Sequence, residues 1–191
     1  MNATRPRCVA LIPARYNSQR IPFKNIRLLN GHPLLAYTIM AAKGSGLFRS
    51  IIVSTDSKVV ANIATYYGAE VPFLRPPKMA RSRSCDFEWV EYTLQKLRRD
   101  GRAFDCFSIL RPTSPFRQVH TIKKAWRRFL QVKRADSLRA VELCQQHPGK
   151  MWVHKNGYIS PLLRDGPAQL PWHSRPYQDL PKVYSQNASL E

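Results

Sequence analysis

Acidic residues are scarce. The chain carries 12 Asp and Glu against 31 Lys and Arg in 191 residues, a net charge of +19. That imbalance favours polyanionic partners such as nucleic acid, nucleotides or acidic sugars. It also leaves no convincing carboxylate pair to anchor a divalent cation. Long apolar runs are missing: no stretch approaches the ~18 residues of a membrane-spanning helix. Residues 1–15 hold no apolar core followed by a small-residue cleavage site. Both absences point to a cytoplasmic protein. The chain has only four cysteines, none closely paired with another, which argues against a disulfide scaffold or a zinc site. Cys8, Cys106 and Cys144 sit beside or within apolar strand-like runs and read as buried thiols in a reducing compartment. Zinc-finger spacing and an aromatic RNA-binding strand are absent as well.

What is present is an alternation of apolar runs and amphipathic stretches. A hydrophobic content of 43% suffices for a single domain, 1–191, with a real core. Residues 9–12 read as a first strand. Residues 33–43 read as a helix, with Pro33 in its first turn and Gly44 past its end. The β-branched run 50–54 reads as a buried strand. Residues 58–67 are helical, with Val59, Val60, Ile63, Ala64 and Tyr67 on one side, Ser57 as N-cap and Gly68 as the stop. Residues 71–74 form a short third strand. Asp86 caps a helix carrying Trp89, Val90, Thr93, Leu94 and Leu97 that ends near Gly101, and 106–110 is another strand.

A basic helix follows within 117–139. Val119, Ile122, Trp126, Phe129 and Leu130 recur at helical spacing, which puts Lys123, Lys124, Arg127 and Arg128 mostly on the opposite face. That face is either simply solvated or an RNA-binding surface. Residues 137–143 read as a strand. Strands separated by helices predict an α/β fold with a mainly parallel sheet and helices on both faces. Beyond His147 the character changes. Asn156-Gly157 between two short strand-like pieces predicts a β-hairpin. Residues 161–182 hold five prolines and little periodicity. The arm over about 147–185 must therefore lie on its own domain or on a second subunit.

The richest stretch is 11–26. An apolar run feeds a Pro-Ala-Arg turn and then a polar loop holding Arg15, Arg20 and Lys24. A buried strand opening into a basic loop is where α/β proteins usually hold phosphorylated ligands, although a solvated basic turn has the same composition. Further on, IVSTDS (52–57) ends a strand in Thr55-Asp56. Asp56 is placed either to cap the next helix or to hold a metal-bound water or a sugar hydroxyl. LRPPKMA (74–80) and LRPTSPFR (110–117) also sit at strand ends, and the second is a rigid Pro-Thr-Ser-Pro turn offering hydroxyls at fixed positions.

These motifs, in this order, resemble those of the acylneuraminate cytidylyltransferase family, the enzymes that make CMP-activated sialic acids. Ile12, Pro13, Ala14, Arg15, Ser18, Pro22, Lys24 and Asn25 fit its opening motif. Tyr16 and Arg20 lean toward the related enzymes that activate the eight-carbon acid KDO. Gln19 stands where a basic residue is common, and Arg20 lies beside it. Ala80-Arg81-Ser82-Arg83-Ser84 replaces an acidic-threonine pair, a swap that either retunes a base pocket or marks a lost one. Arg111 replaces a glutamine that touches the sugar acid in relatives. His147-Pro148-Gly149-Lys150 and residues 178–188 match two later segments, with Ala188 in place of a glycine. His147 reads as a packing and capping residue more readily than as a general base.

The resemblance runs from about Val9 to Asn187. It implies a three-layer αβα Rossmann-like nucleotidyltransferase fold with a β-hairpin dimerisation arm, and hence a homodimer. It implies attack by the anomeric hydroxyl of a 2-keto sugar acid on the α-phosphorus of CTP, with loss of pyrophosphate. Arg15 and Lys24 take the catalytic places. Ala14, Arg20, Asn25 and Arg75 take nucleotide-binding ones. Arg111, Thr113, Ser114, Arg117 and Asn187 take those that orient the sugar acid. Mg²⁺ is the expected cofactor. The family continues for several tens of residues past the segment matched by residues 178–188 and there supplies aspartates for the metal. The C-terminal part of the family domain is therefore expected to be missing here, and the metal ligands of this chain are unknown. The +19 charge and the missing carboxylates also fit a domain that binds a nucleotide or RNA without chemistry. A nucleotidyltransferase for another sugar and base is a third reading.

Overall fold

The computed structural model describes residues 6–82, 84–164, 166, 170–187 and 189–191. They form two compact units. One is built from the described residues of Met1–Arg139 with Ala188–Glu191, the other from those of Ala140–Asn187.

In the first unit, β1 (Cys8–Pro13) leads through a loop and a 3-10 turn (Lys24–Ile26) to the two-residue strands β2 (Leu28–Leu29) and β3 (His32–Pro33). Then come α1 (Leu34–Ser45), β4 (Phe48–Ser54), α2 (Lys58–Tyr66), α3 (Asp86–Arg99), β5 (Cys106–Ile109) and α4 (Val119–Gln131). β1 is flanked by β4 and β5 in a parallel sheet of order β4-β1-β5. As the central strand it is buried on both faces, which is why it reads as a continuous apolar run. Val9 and Leu11 join Ile52 and Ile109 in one core layer against Trp89, Val90 and Leu97 of α3. α1 packs against β1, β4, α2 and α4. The α/β architecture with a parallel sheet is thus as the strand and helix spacing predicts.

Several local expectations are corrected. Residues 71–74 are not a strand. Pairing ends at a single parallel bridge between Glu70 and Ile52, and Pro72, which has no N–H, follows. α1 runs past Gly44 and stops at Gly46, which takes the left-handed conformation (φ 63°) that glycine tolerates. Gly44 stays helical where a Cβ would lie 3.0 Å from Val119 of α4. Ser57 does cap α2, accepting from the Val60 N–H, but Val59 is half-exposed rather than part of the buried face. Cys85, not Asp86, is the N-cap of α3, and it makes no side-chain capping bond. Cys8 is buried, Cys106 and Cys144 are only partly so, and no disulfide forms among the described residues.

In the second unit, β6 (Val141–Leu143) pairs antiparallel with β9 (Tyr184–Gln186), and β7 (Trp152–Lys155) with β8 (Tyr158–Pro161). The strand expected over 137–143 is therefore shorter, and its partner lies late in the chain, not in the parallel sheet. The hairpin forms as expected: Asn156 (φ 52°) and Gly157 (φ 80°) both take the positive φ of a two-residue turn. His147 is buried. Its Nδ1 accepts from the Gly149 N–H at 2.9 Å and its own N–H donates to the Tyr177 hydroxyl at 3.0 Å, a capping and packing role. Ala188 and Arg83 lie outside the described residues.

Candidate functional site

Because β1, β4 and β5 run parallel, their carboxyl ends meet at one edge of the sheet, where α/β proteins place ligands. A cavity of about 310 Å³ opens there, at the lower end of the range for small-molecule sites. Its wall includes Pro13, Arg15 and Ser18 from the loop after β1, and Lys24 and Asn25 from the 3-10 turn. Arg75, Met79, Arg81, Ser82 and Ser84 come from the segment after α2. Asp86 and Trp89 belong to α3, and Arg111, Pro112 and Thr113 to the turn after β5. Five cations and one carboxylate therefore face the same space.

The loop after β1 is held from several sides. The Ala14 N–H donates to the Ser54 carbonyl at 3.0 Å, extending the β1–β4 ladder. The Tyr16 N–H donates to Asp56 Oδ1 at 2.8 Å. Ser57, not Asp56, is the N-cap of α2; Asp56 pins the basic loop to the end of β4. Asn25 is buried, and its amide donates to the Arg15 carbonyl at 2.9 Å. Phe23 takes a left-handed φ of 54° at the entry to the 3-10 turn, its ring against Tyr16. Lys24 is half-buried. Burial first, then Arg15 and Arg20, push its pKa below the usual lysine range. An ammonium crowded by cations and partly stripped of water gains most from an anionic ligand.

Arg75 is buried with no ion pair among the described residues. Its Nε donates to Ser54 Oγ at 3.0 Å and its Nη2 to the Ser54 carbonyl at 2.8 Å. The guanidinium lies 4.8 Å from the centroid of the Trp89 ring. Burial pushes its pKa down to about 10, against the pull of Asp56 and Asp86, so it remains a cation at neutral pH. Arg111 meets Asp86 Oδ2 at 2.5 Å and Glu191 Oε1 at 3.1 Å. Burial opposes its charge, but these two carboxylates prevail and its pKa is raised. Asp86 also accepts from Trp89 Nε1 at 2.8 Å. Its burial would raise its pKa, yet the bonds from Arg111 and Trp89 hold it below the carboxylate range.

Of the residues singled out in the sequence, Arg15, Lys24, Asn25, Arg75, Arg111 and Thr113 line this one cavity. Ala14 lies beneath it with its N–H committed to the sheet. Arg20 is exposed and off the wall, though near enough to depress Lys24. Ser114 bridges the turn through its backbone: its N–H donates to the Arg111 carbonyl and its carbonyl accepts from the Arg117 N–H. Arg117 is buried and donates to the Ser189 carbonyl, Thr38 Oγ1 and the Arg111 carbonyl. Its guanidinium braces the turn that carries Arg111 and Thr113. Asn187 belongs to the second unit, where its N–H donates to the Ala140 carbonyl. Sequence reasoning placed Asp86 and Trp89 on this helix but marked neither as a wall residue. The signal was their i, i+3 spacing at the start of α3, which puts both on one helix face.

The described residues offer no ready-made protein cage for Mg²⁺. No group of three or more His, Cys, Asp and Glu gathers among them. Asp86 is bound to Arg111 and Trp89, and Asp56 to Tyr16. No helix among the described residues is long and apolar enough to cross a membrane.

Comparison with known proteins adds an independent line. Residues 9–157 match the family described as cytidylyltransferase. The chain is 47% identical over 119 residues to CMP-N,N'-diacetyllegionaminic acid synthase of Legionella pneumophila, covering 62% of this chain and 51% of the relative. It is 41% identical over 120 residues to N-acylneuraminate cytidylyltransferase of Escherichia coli, covering 62% of this chain and 27% of the relative. The chain thus spans about half the length, or less, of these curated relatives. Among solved structures, a CMP:2-keto-3-deoxy-manno-octonic acid synthetase complexed with CTP superposes with a TM-score of 0.68 at 15% identity, covering 96% of this chain and 73% of that one. That likeness is one of fold.

Proposed function

The chain belongs to the cytidylyltransferase family, and on that premise we propose that it transfers CMP from CTP to the anomeric hydroxyl of a 2-keto sugar acid, releasing pyrophosphate. The observation that carries this reading is the convergence of Arg15, Lys24, Arg75, Arg81 and Arg111 on one cavity at the carboxyl edge of the parallel sheet. Phosphoryl transfer asks the protein mainly for positioning and for cations where charge builds up. Arg15 and Lys24, on the loop pinned by Asp56 and Asn25, neutralise the triphosphate. Arg20 assists from outside the wall by adding to the local field. Arg75, fixed on Ser54 and Trp89, marks the floor of the nucleotide subsite. Arg111 and the exposed hydroxyl of Thr113 face the acid, and Arg117 holds their turn in place. The exposed Trp152, Tyr158 and Ile159 of the β7–β8 hairpin support pairing with a second copy.

The test is to incubate the protein with CTP, Mg²⁺ and, in turn, sialic, legionaminic, pseudaminic and KDO acids, and to assay pyrophosphate. Release is expected with at least one acid, and UTP or GTP should not replace CTP. Lys24→Ala should lower the rate by about a hundredfold or more, the scale seen when a transition-state charge contact is removed, with no loss of melting temperature. No release with any acid defeats the reading.

A further inference from the structure

We propose that Asp86 is a specificity-determining residue: it occupies Arg111 until the carboxylate of the incoming acid displaces it. The inference rests on the reading of the reaction given above and extends it to a residue the sequence motifs do not mark.

Arg111 has two internal anions, and they are not equivalent. Glu191 is nearly covered, its side chain 12% exposed, and its backbone pairs with Ile109 in both directions, so its carboxylate is built in beside β5. Asp86 is 48% exposed and lies on the cavity wall. Its two oxygens have separate duties: Oδ1 accepts from Trp89 Nε1, and Oδ2 accepts from Arg111 Nη2. The carboxylate can therefore release Arg111 while staying tethered to Trp89.

An ion pair open to water contributes little net stability and is readily exchanged, whereas a covered one is not. A substrate carboxylate entering beside Thr113 meets Arg111 and competes for the face that Asp86 covers. A neutral sugar leaves the Arg111–Asp86 pair closed and does not gain Arg111 to orient it. Asp86 thus makes the site answer to acids, and it does so at the expense of acid affinity.

The sign of this prediction separates it from a structural role. Asp86→Asn keeps an oxygen for Trp89 but removes the charge that competes for Arg111. The variant should bind the acid more tightly, lowering its KM by up to about fivefold, the worth of one exposed ion pair, with the KM for CTP unchanged. Asp86→Ser supplies the same comparison if the asparagine variant does not fold. A KM for the acid that is unchanged or raised in both variants overturns the proposal while leaving the reaction intact. Absence of pyrophosphate release from the unmodified protein with every acid overturns the reaction itself, and this role for Asp86 with it.

Discussion

Lys24 shows how much chemistry a single side chain draws from its surroundings. It is half-buried, and both its partial desolvation and the nearby Arg15 and Arg20 favour the neutral amine, so its pKa lies below the usual lysine value. The unfolded chain binds this proton more tightly than the folded one. Stability contributed through this group therefore rises as pH climbs through the lowered pKa toward the unfolded value. Ligand binding has the opposite sign: a triphosphate favours the ammonium, so proton uptake should accompany binding. The KM for CTP should accordingly rise on the alkaline side at a pH below that of an ordinary lysine, and Lys24→Arg should abolish that limb. A flat alkaline profile in the unmodified protein would remove Lys24 from the nucleotide subsite.

At the scale of elements, α3 joins the core to the cavity. Leu97 and Trp89 bury the helix against β1 and β5, while Asp86 and the Trp89 N–H reach the cavity wall. Leu97 is fully buried, so Leu97→Ala should cost about 2–5 kcal/mol by denaturant unfolding, from lost transfer energy plus the cavity left behind. Because Leu97 lies near the far end of the helix, the KM values of the folded variant should hold. A change in KM larger than the change in stability would show that α3 does not act as a rigid carrier. The apolar spacing of this helix was legible in the sequence; the ion pair at its first turn was not, because Arg111 lies 25 residues away along the chain. The same limit governed residues 71–74 and 137–143. Both have strand-like composition, but pairing depends on which backbone arrives alongside, and that is a tertiary matter.

At the scale of the whole molecule, the charge of +19 is the dominant fact. Many of its cations stand on exposed faces such as that of α4, where Lys123, Lys124, Arg127 and Arg128 all face solvent opposite the buried Ile122. Such a field draws anions toward the protein over roughly a Debye length of ~10 Å at 0.1 M salt. Raising NaCl from about 50 to about 500 mM should therefore increase the KM for CTP several-fold with little change in kcat. A salt-independent KM would assign nucleotide affinity to short-range bonds alone.

The sequence by itself determined the alternation of strands and helices, the apolar run of β1, the Asn-Gly hairpin and the basic loop, because each depends on local pattern and neighbouring residues. It also placed Arg15, Lys24, Asn25, Arg75, Arg111 and Thr113 at strand ends, and parallel pairing then brought those ends to one edge. Only the tertiary structure decided what each charge does there. Asp56 holds the loop, Arg117 is consumed in bracing a turn, and Arg111 is shared between Asp86 and Glu191. Those roles depend on burial and on distances between residues far apart in the chain, quantities that no local pattern encodes.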